Sequence, residues 1–129
     1  MTRRELDVDG LPEPLSHYAD AVLAGDTLYV SGIVPVDGDG ALVGAGDVAA
    51  QARHVLQTLG RVLDAAGGTP ADVVKVTVYL ADVDDRPRIN PERQAFFGDA
   101  RPASTLVEVG RLAVPGALLE IEAVAHLGP

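Results

Sequence analysis

Residues 47–81 read DVAAQARHVLQTLGRVLDAAGGTPADVVKVTVYLA, a helical period followed at once by a strand period. Asp47 is a good N-cap, and Val48, Ala52, Val55, Leu56, Leu59, Val62, Leu63 and Ala66 recur at the i, i+3, i+4 spacing of one apolar helix face. Gly67-Gly68 ends the helix. Val74, Val76, Val78 and Leu80 then alternate with Lys75, Thr77 and Tyr79, which predicts a strand over 73–81 with one apolar and one mixed face.

Toward the N-terminus, Tyr18–Ala24 and Thr27–Val34 are β-prone runs separated by Gly25-Asp26, the spacing of a hairpin. Residues 1–16 are polar and punctuated by Pro12 and Pro14, and are expected to be an extended segment of a single domain spanning 1–129. Toward the C-terminus, Asn90-Pro91-Glu92 predicts a short helix with Asn90 as its cap and Ala95, Phe96 and Phe97 as its apolar side. Ala103–Val109 and Leu118–His126 read as two final strands joined around Pro115-Gly116. The expected class is α+β, in the order β-β-α-β-α-β-β, with two helices on one face of a mixed sheet. Tyr29, Thr77, Tyr79, Leu118 and Val124 leave the other face half apolar, which predicts a homo-oligomer.

Composition narrows the chemistry. With 47% hydrophobic residues the chain has a core to bury, and with no cysteine it has no disulfide, Cys-ligated zinc or thiol nucleophile. Ten basic against 19 acidic residues give a net charge of −9, which repels a phosphate backbone, so no nucleic-acid partner is expected. No apolar run follows Arg3-Arg4, and Leu112–Leu119 is too short to span a bilayer, so a soluble, cytoplasmic protein without a membrane partner is expected. His17, His54 and His126 have no metal-site spacing. Asp82, Asp84 and Asp85 lack the glycine and closing glutamate of a calcium loop and read as a solvated loop, so no metal is expected. Gly44-Ala45-Gly46 followed by Ala49 partly matches a dinucleotide fingerprint. Asp47 would oppose the pyrophosphate, and no strand runs directly into the glycines, so no cofactor is expected. Ser31-Gly32 lacks the flanking glycine of a nucleophile elbow. Glu120 and Glu122 lie on one side of a strand whose Leu119, Ile121, Ala123 and Ala125 face the core, and by themselves read as its solvated side.

Several stretches in this order and spacing carry a resemblance: Tyr29-Val-Ser-Gly-Ile-Val-Pro35, Asp47-Val-Ala-Ala-Gln-Ala-Arg53, Val74-Lys-Val-Thr-Val-Tyr-Leu80, Asn90 with Ala95-Phe96-Phe97, Arg101-Pro102-Ala103, Val107-Glu108-Val109 and Glu120-Ile-Glu-Ala123. Together they resemble the RidA/YjgF family of reactive-imine deaminases. The resemblance implies a chorismate-mutase-like fold, a homotrimer with small-molecule clefts between subunits, and cofactor-free hydrolysis of enamines or imines such as 2-aminoacrylate. By motif, Tyr18, Ser31 and Asn90 match positions lining the family's cleft, and Glu120 matches the carboxylate that positions the attacking water.

One position departs from that pattern. Active members carry arginine on the strand after the Pro-Ala pair, where its fork grips the substrate carboxylate; here that residue is Ser104, and the next residue on the same face is Leu106. The standard 2-imino acid is therefore not the expected substrate. Arg86, Arg88, Arg101 and Arg111 are nearby in sequence, but none matches the family position. Replacing Ser104 by arginine is expected to restore binding of a small keto acid. Three functions stand: a deaminase of another enamine or imine, a small-molecule binding protein of the same fold, and an endoribonuclease. The negative charge and the lack of a histidine pair oppose the third.

Overall fold

The computed structural model describes residues 2–128. Its elements are β1 (Arg3–Leu6), β2 (Ala21–Ala24), β3 (Thr27–Ile33), α1 (Val48–Ala65), β4 (Val73–Leu80), α2 (Arg86–Phe97), β5 (Ala103–Glu108) and β6 (Leu119–His126). The strands form one six-stranded sheet in the order β1-β2-β3-β6-β4-β5. β2 and β3 form the expected hairpin, with Gly25 at φ 60° in the turn. The last two strands are not neighbours. β6 inserts between β3 and β4, antiparallel to both, while α2 carries the chain from β4 to a parallel edge strand β5.

α1 begins where Asp47 accepts a hydrogen bond from the Ala50 N–H at 3.1 Å. It lays Val48, Ala52, Val55, Leu56, Leu59, Val62 and Leu63 on Leu28, Val30, Val76, Val78, Leu119, Ile121 and Ala123 of the sheet. Among the described residues, no helix is long and apolar enough to cross a membrane.

Four local expectations change. Arg3–Leu6 pairs with β2, a strand the sequence hides because only Leu6 of its four residues is buried. β4 buries Val73, not Val74, since a bulge between Val73 and Lys75 turns Val74 outward to 49% exposure. α2 starts one turn before Asn90, with Pro87 in its first turn, so Asn90 is an interior helix residue rather than a cap. Pro91 removes one early helical bond, a cost offset by burial of Ile89 and Phe97. Val83–Asp85 forms a 3-10 turn that enters α2 with Asp85 buried and paired to Arg88, so this stretch is not simply a solvated loop.

Candidate functional site

On β6, Glu120 and Glu122 point to the sheet face away from the helices, as their spacing requires, but their surroundings differ. Tyr79 sits beside them on β4 and donates its hydroxyl proton to Glu122. Glu120 has no such partner among the described residues and is half-buried. Burial pushes its pKa up, and the negative charge of Glu122 adds to the shift. The burial comes from the neighbouring strand. β3 has a bulge between Val30 and Ile33, and the Glu120 side chain lies across Gly32 there, so close that a Cβ on Gly32 would stand 2.1 Å from Oε2. A backbone without a side chain thus makes the seat for the carboxylate.

Tyr18, Ser31 and Gly32 line one small pocket of about 50 Å³ that is closed by Thr58 and Val62 of α1, so it lies on the helix side of β3 and Glu120 does not line it. The Ser31 hydroxyl donates to the Ala19 carbonyl at 2.6 Å, and its N–H donates to Asp20 O at 3.0 Å. Its proton is already placed on that carbonyl, which argues against a nucleophilic role. The Tyr18 hydroxyl accepts from the Leu15 N–H at 3.2 Å, while the residue is 43% exposed.

A second cluster lies on the helix side. By register with the buried Val76 and Val78, Ser104 and Leu106 of β5 face the helices. Leu106 spends its side chain on the core. The Ser104 hydroxyl accepts a hydrogen bond at 2.8 Å from Nη2 of Arg93, a residue of α2. Arg93 and Asn90 are one turn apart and line an open groove of about 640 Å³ with Gln94, Arg101 and Pro102. Arg88 is engaged with Asp85, and Arg86 and Arg111 are exposed. The cation at Ser104 is therefore none of the four arginines named from sequence, of which Arg101 alone lines the same groove. Only the side-chain contact identifies Arg93.

The family model described as Endoribonuclease L-PSP matches residues 10–127. The chain belongs to this family, the RidA/YjgF family. Over 119 residues it is 44% identical to the 3-aminoacrylate deaminase RutC of Acinetobacter baylyi, covering 92% of this chain and 94% of that one. It is 39% identical to a RutC family protein of Pyrococcus horikoshii, over 92% of this chain and 93% of the relative. Among solved structures, RidA of a Psychrobacter species superposes with a TM-score of 0.88 at 31% identity, over 95% of this chain and 98% of that one. E. coli TdcF, solved with bound serine, gives a TM-score of 0.88 at 30% identity, over 97% and 99%. The α+β architecture expected from sequence is thus that of the RidA family.

In this RidA-family protomer the two clusters do not meet. Glu120 is in register with Tyr79 on one face of the sheet, whereas Ser104 is in register with Val76 on the other, about 10 Å away along the strand. A ligand of a few heavy atoms cannot touch both within one chain.

Arg93 also changes what Ser104→Arg should do. The new guanidinium would replace the acceptor of Arg93 and meet a like charge. The expected outcome is a loss of about 1 kcal/mol in stability rather than a gain in keto-acid affinity, read by urea denaturation of parent and variant alongside pyruvate calorimetry.

Proposed function

We propose that this chain is a cofactor-free hydrolytic deaminase of a reactive enamine or imine, acting as a homotrimer in clefts between subunits. The observation that carries the reading is the Glu120 carboxylate, half-buried on Gly32 without a hydrogen-bond partner of its own and with a raised pKa. Such a carboxylate is a stronger base than a solvated one. An enamine first takes a proton at carbon to become the iminium. Glu120 accepts a proton from water as the water oxygen bonds to the iminium carbon and the C=N pair moves to nitrogen. The protonated Glu120 then returns its proton to nitrogen, the C–N bond breaks as the hydroxyl proton passes to solvent and the C=O bond forms, and ammonia and a carbonyl compound leave, which gives back the proton taken up at carbon. Tyr18 and Ser31 gather around Gly32, on which the base is seated, and Asn90, Ser104 and Leu106 belong to the face presented by a neighbouring copy, which joins the two separated clusters.

The name of the Acinetobacter relative supports an enamine substrate, and serine in TdcF supports a small, amino-acid-sized cleft. Without arginine at position 104, the strand does not grip a 2-imino acid in the family's usual way. The test is ammonia release from 2-aminoacrylate and 3-aminoacrylate generated in situ, with the oligomer checked by sedimentation. The expected result is faster release than in buffer, by a trimer. The acid limb of the rate profile should lie above the ordinary glutamate range, since the raised pKa keeps Glu120 protonated, and unable to act as base, to higher pH. Ammonia release no faster than in buffer for both enamines would overturn the reading in favour of a binding protein.

A further inference from the structure

We infer that Arg93 is the anion-binding residue of this chain, with Ser104 as the hydroxyl that holds its guanidinium in place, and that the ligand carries a carboxylate. The inference deepens the proposed function by naming the group that marks the substrate.

A guanidinium has five N–H groups in a rigid fork. Arg93 places one of them on Ser104 Oγ at 2.8 Å. The ion pairs formed among the described residues are Arg3 with Glu5, Arg53 with Glu92 and Arg88 with Asp85, so no carboxylate lies within pairing distance of Arg93. Asp99 lines the same groove but is not paired with it. The side chain is nevertheless partly withdrawn from water, and that desolvation alone lowers its pKa. A desolvated, unpaired guanidinium is costly unless something anionic completes it. Arg93 also opens on a groove large enough for a small ligand, with the amide of Asn90 and the guanidinium of Arg101 on its walls.

Position explains why a serine suffices on the strand. Residue 104 needs no charge of its own when a guanidinium from α2 is seated on its side chain. The short hydroxyl accepts from the fork without filling the space the ligand needs, whereas a longer residue there would displace Arg93.

Equilibrium binding tests this without turnover, so its outcome is separable from that of the ammonia assay. Pyruvate and its uncharged amide, pyruvamide, are titrated calorimetrically into the trimer. The parent is expected to prefer pyruvate. Arg93→Gln is expected to weaken pyruvate by roughly tenfold to a hundredfold, the loss of one or two charge-assisted bonds, and to leave pyruvamide unchanged. Arg93→Lys keeps the charge and loses the fork, and should fall between the two. Ser104→Ala keeps the cation but frees it, and should cost pyruvate severalfold. A parent that binds pyruvamide as well as pyruvate overturns the inference, as does an Arg93→Gln protein of unchanged oligomeric state that binds pyruvate within twofold of the parent. If Arg93→Gln does not assemble, the parent's preference and its reduction in Arg93→Lys decide the matter.

Discussion

Glu120→Gln is expected to slow imine hydrolysis by about 100-fold to 10,000-fold, the range for removing a positioned general base, while leaving the protein folded. The stability sign is opposite to the activity sign. The folded-state pKa of Glu120 is raised, so above the unfolded value its ionisation works against folding, and that penalty grows as pH rises through the folded pKa. An amide has no charge to desolvate, so Glu120→Gln should match or exceed the parent in urea at pH 7 and lose that advantage in acid. Gly32→Ala approaches the same residue from its seat. Gly32 is not in the left-handed region, so alanine brings no backbone strain, and its severe contacts are all with the Glu120 carboxylate, Oε2 at 2.1 Å and Cδ at 2.9 Å. The carboxylate must swing away, and activity should fall toward that of Glu120→Gln with Glu120 itself intact. Gly32→Ala with parental kcat/KM would remove Glu120 from the chemistry in this pose.

Gln51→Leu is expected to destabilise the protein by about 3 kcal/mol or more, from buried polar groups left unpaired at about 1 to 3 kcal/mol each. Gln51 has no exposed surface, and its side chain meets three backbone groups. Nε2 donates to the carbonyls of Gly44 at 3.2 Å and Gly116 at 3.1 Å, and Oε1 accepts from the Leu118 N–H at 2.7 Å. It pins the loop before α1 to the segment that enters β6, two residues before Glu120. Leucine fills a similar volume but satisfies none of the three. Urea midpoints at a fixed protomer concentration check the loss, since an oligomer's apparent stability depends on concentration. A shift below 1 kcal/mol would mean that water or a neighbouring chain takes over these groups. Gln51→Glu should also destabilise at neutral pH, because it keeps the acceptor for Leu118 but turns a carboxylate oxygen toward two carbonyls.

Periodicity carried most of the architecture. The face of α1 from Val48 to Leu63 was legible because seven apolar side chains recur at helical spacing, and β6 because Leu119, Ile121, Ala123 and Ala125 alternate. β1 was not legible, since an edge strand made by backbone pairing needs little apolar pattern, and Arg3-Arg4-Glu5 has none. Asn90-Pro91-Glu92 imitates a helix start so well that the true start at Arg86 was hidden behind it. Motif matching located Tyr18, Ser31, Asn90, Ser104 and Glu120 as candidates without giving their surroundings.

By itself the sequence determined the fold class and the family, because these are properties of residue type and of spacing along one chain. Tertiary structure decided which of two glutamates is desolvated, what Gly32 is for, and which arginine answers for Ser104. Each of these turns on a proximity that the fold makes: Gly32 and Glu120 are brought together by β3 and β6, and Arg93 and Ser104 by the return of α2 along the sheet edge. Desolvation and hydrogen bonding act over a few ångströms, and no pattern along the chain records that proximity.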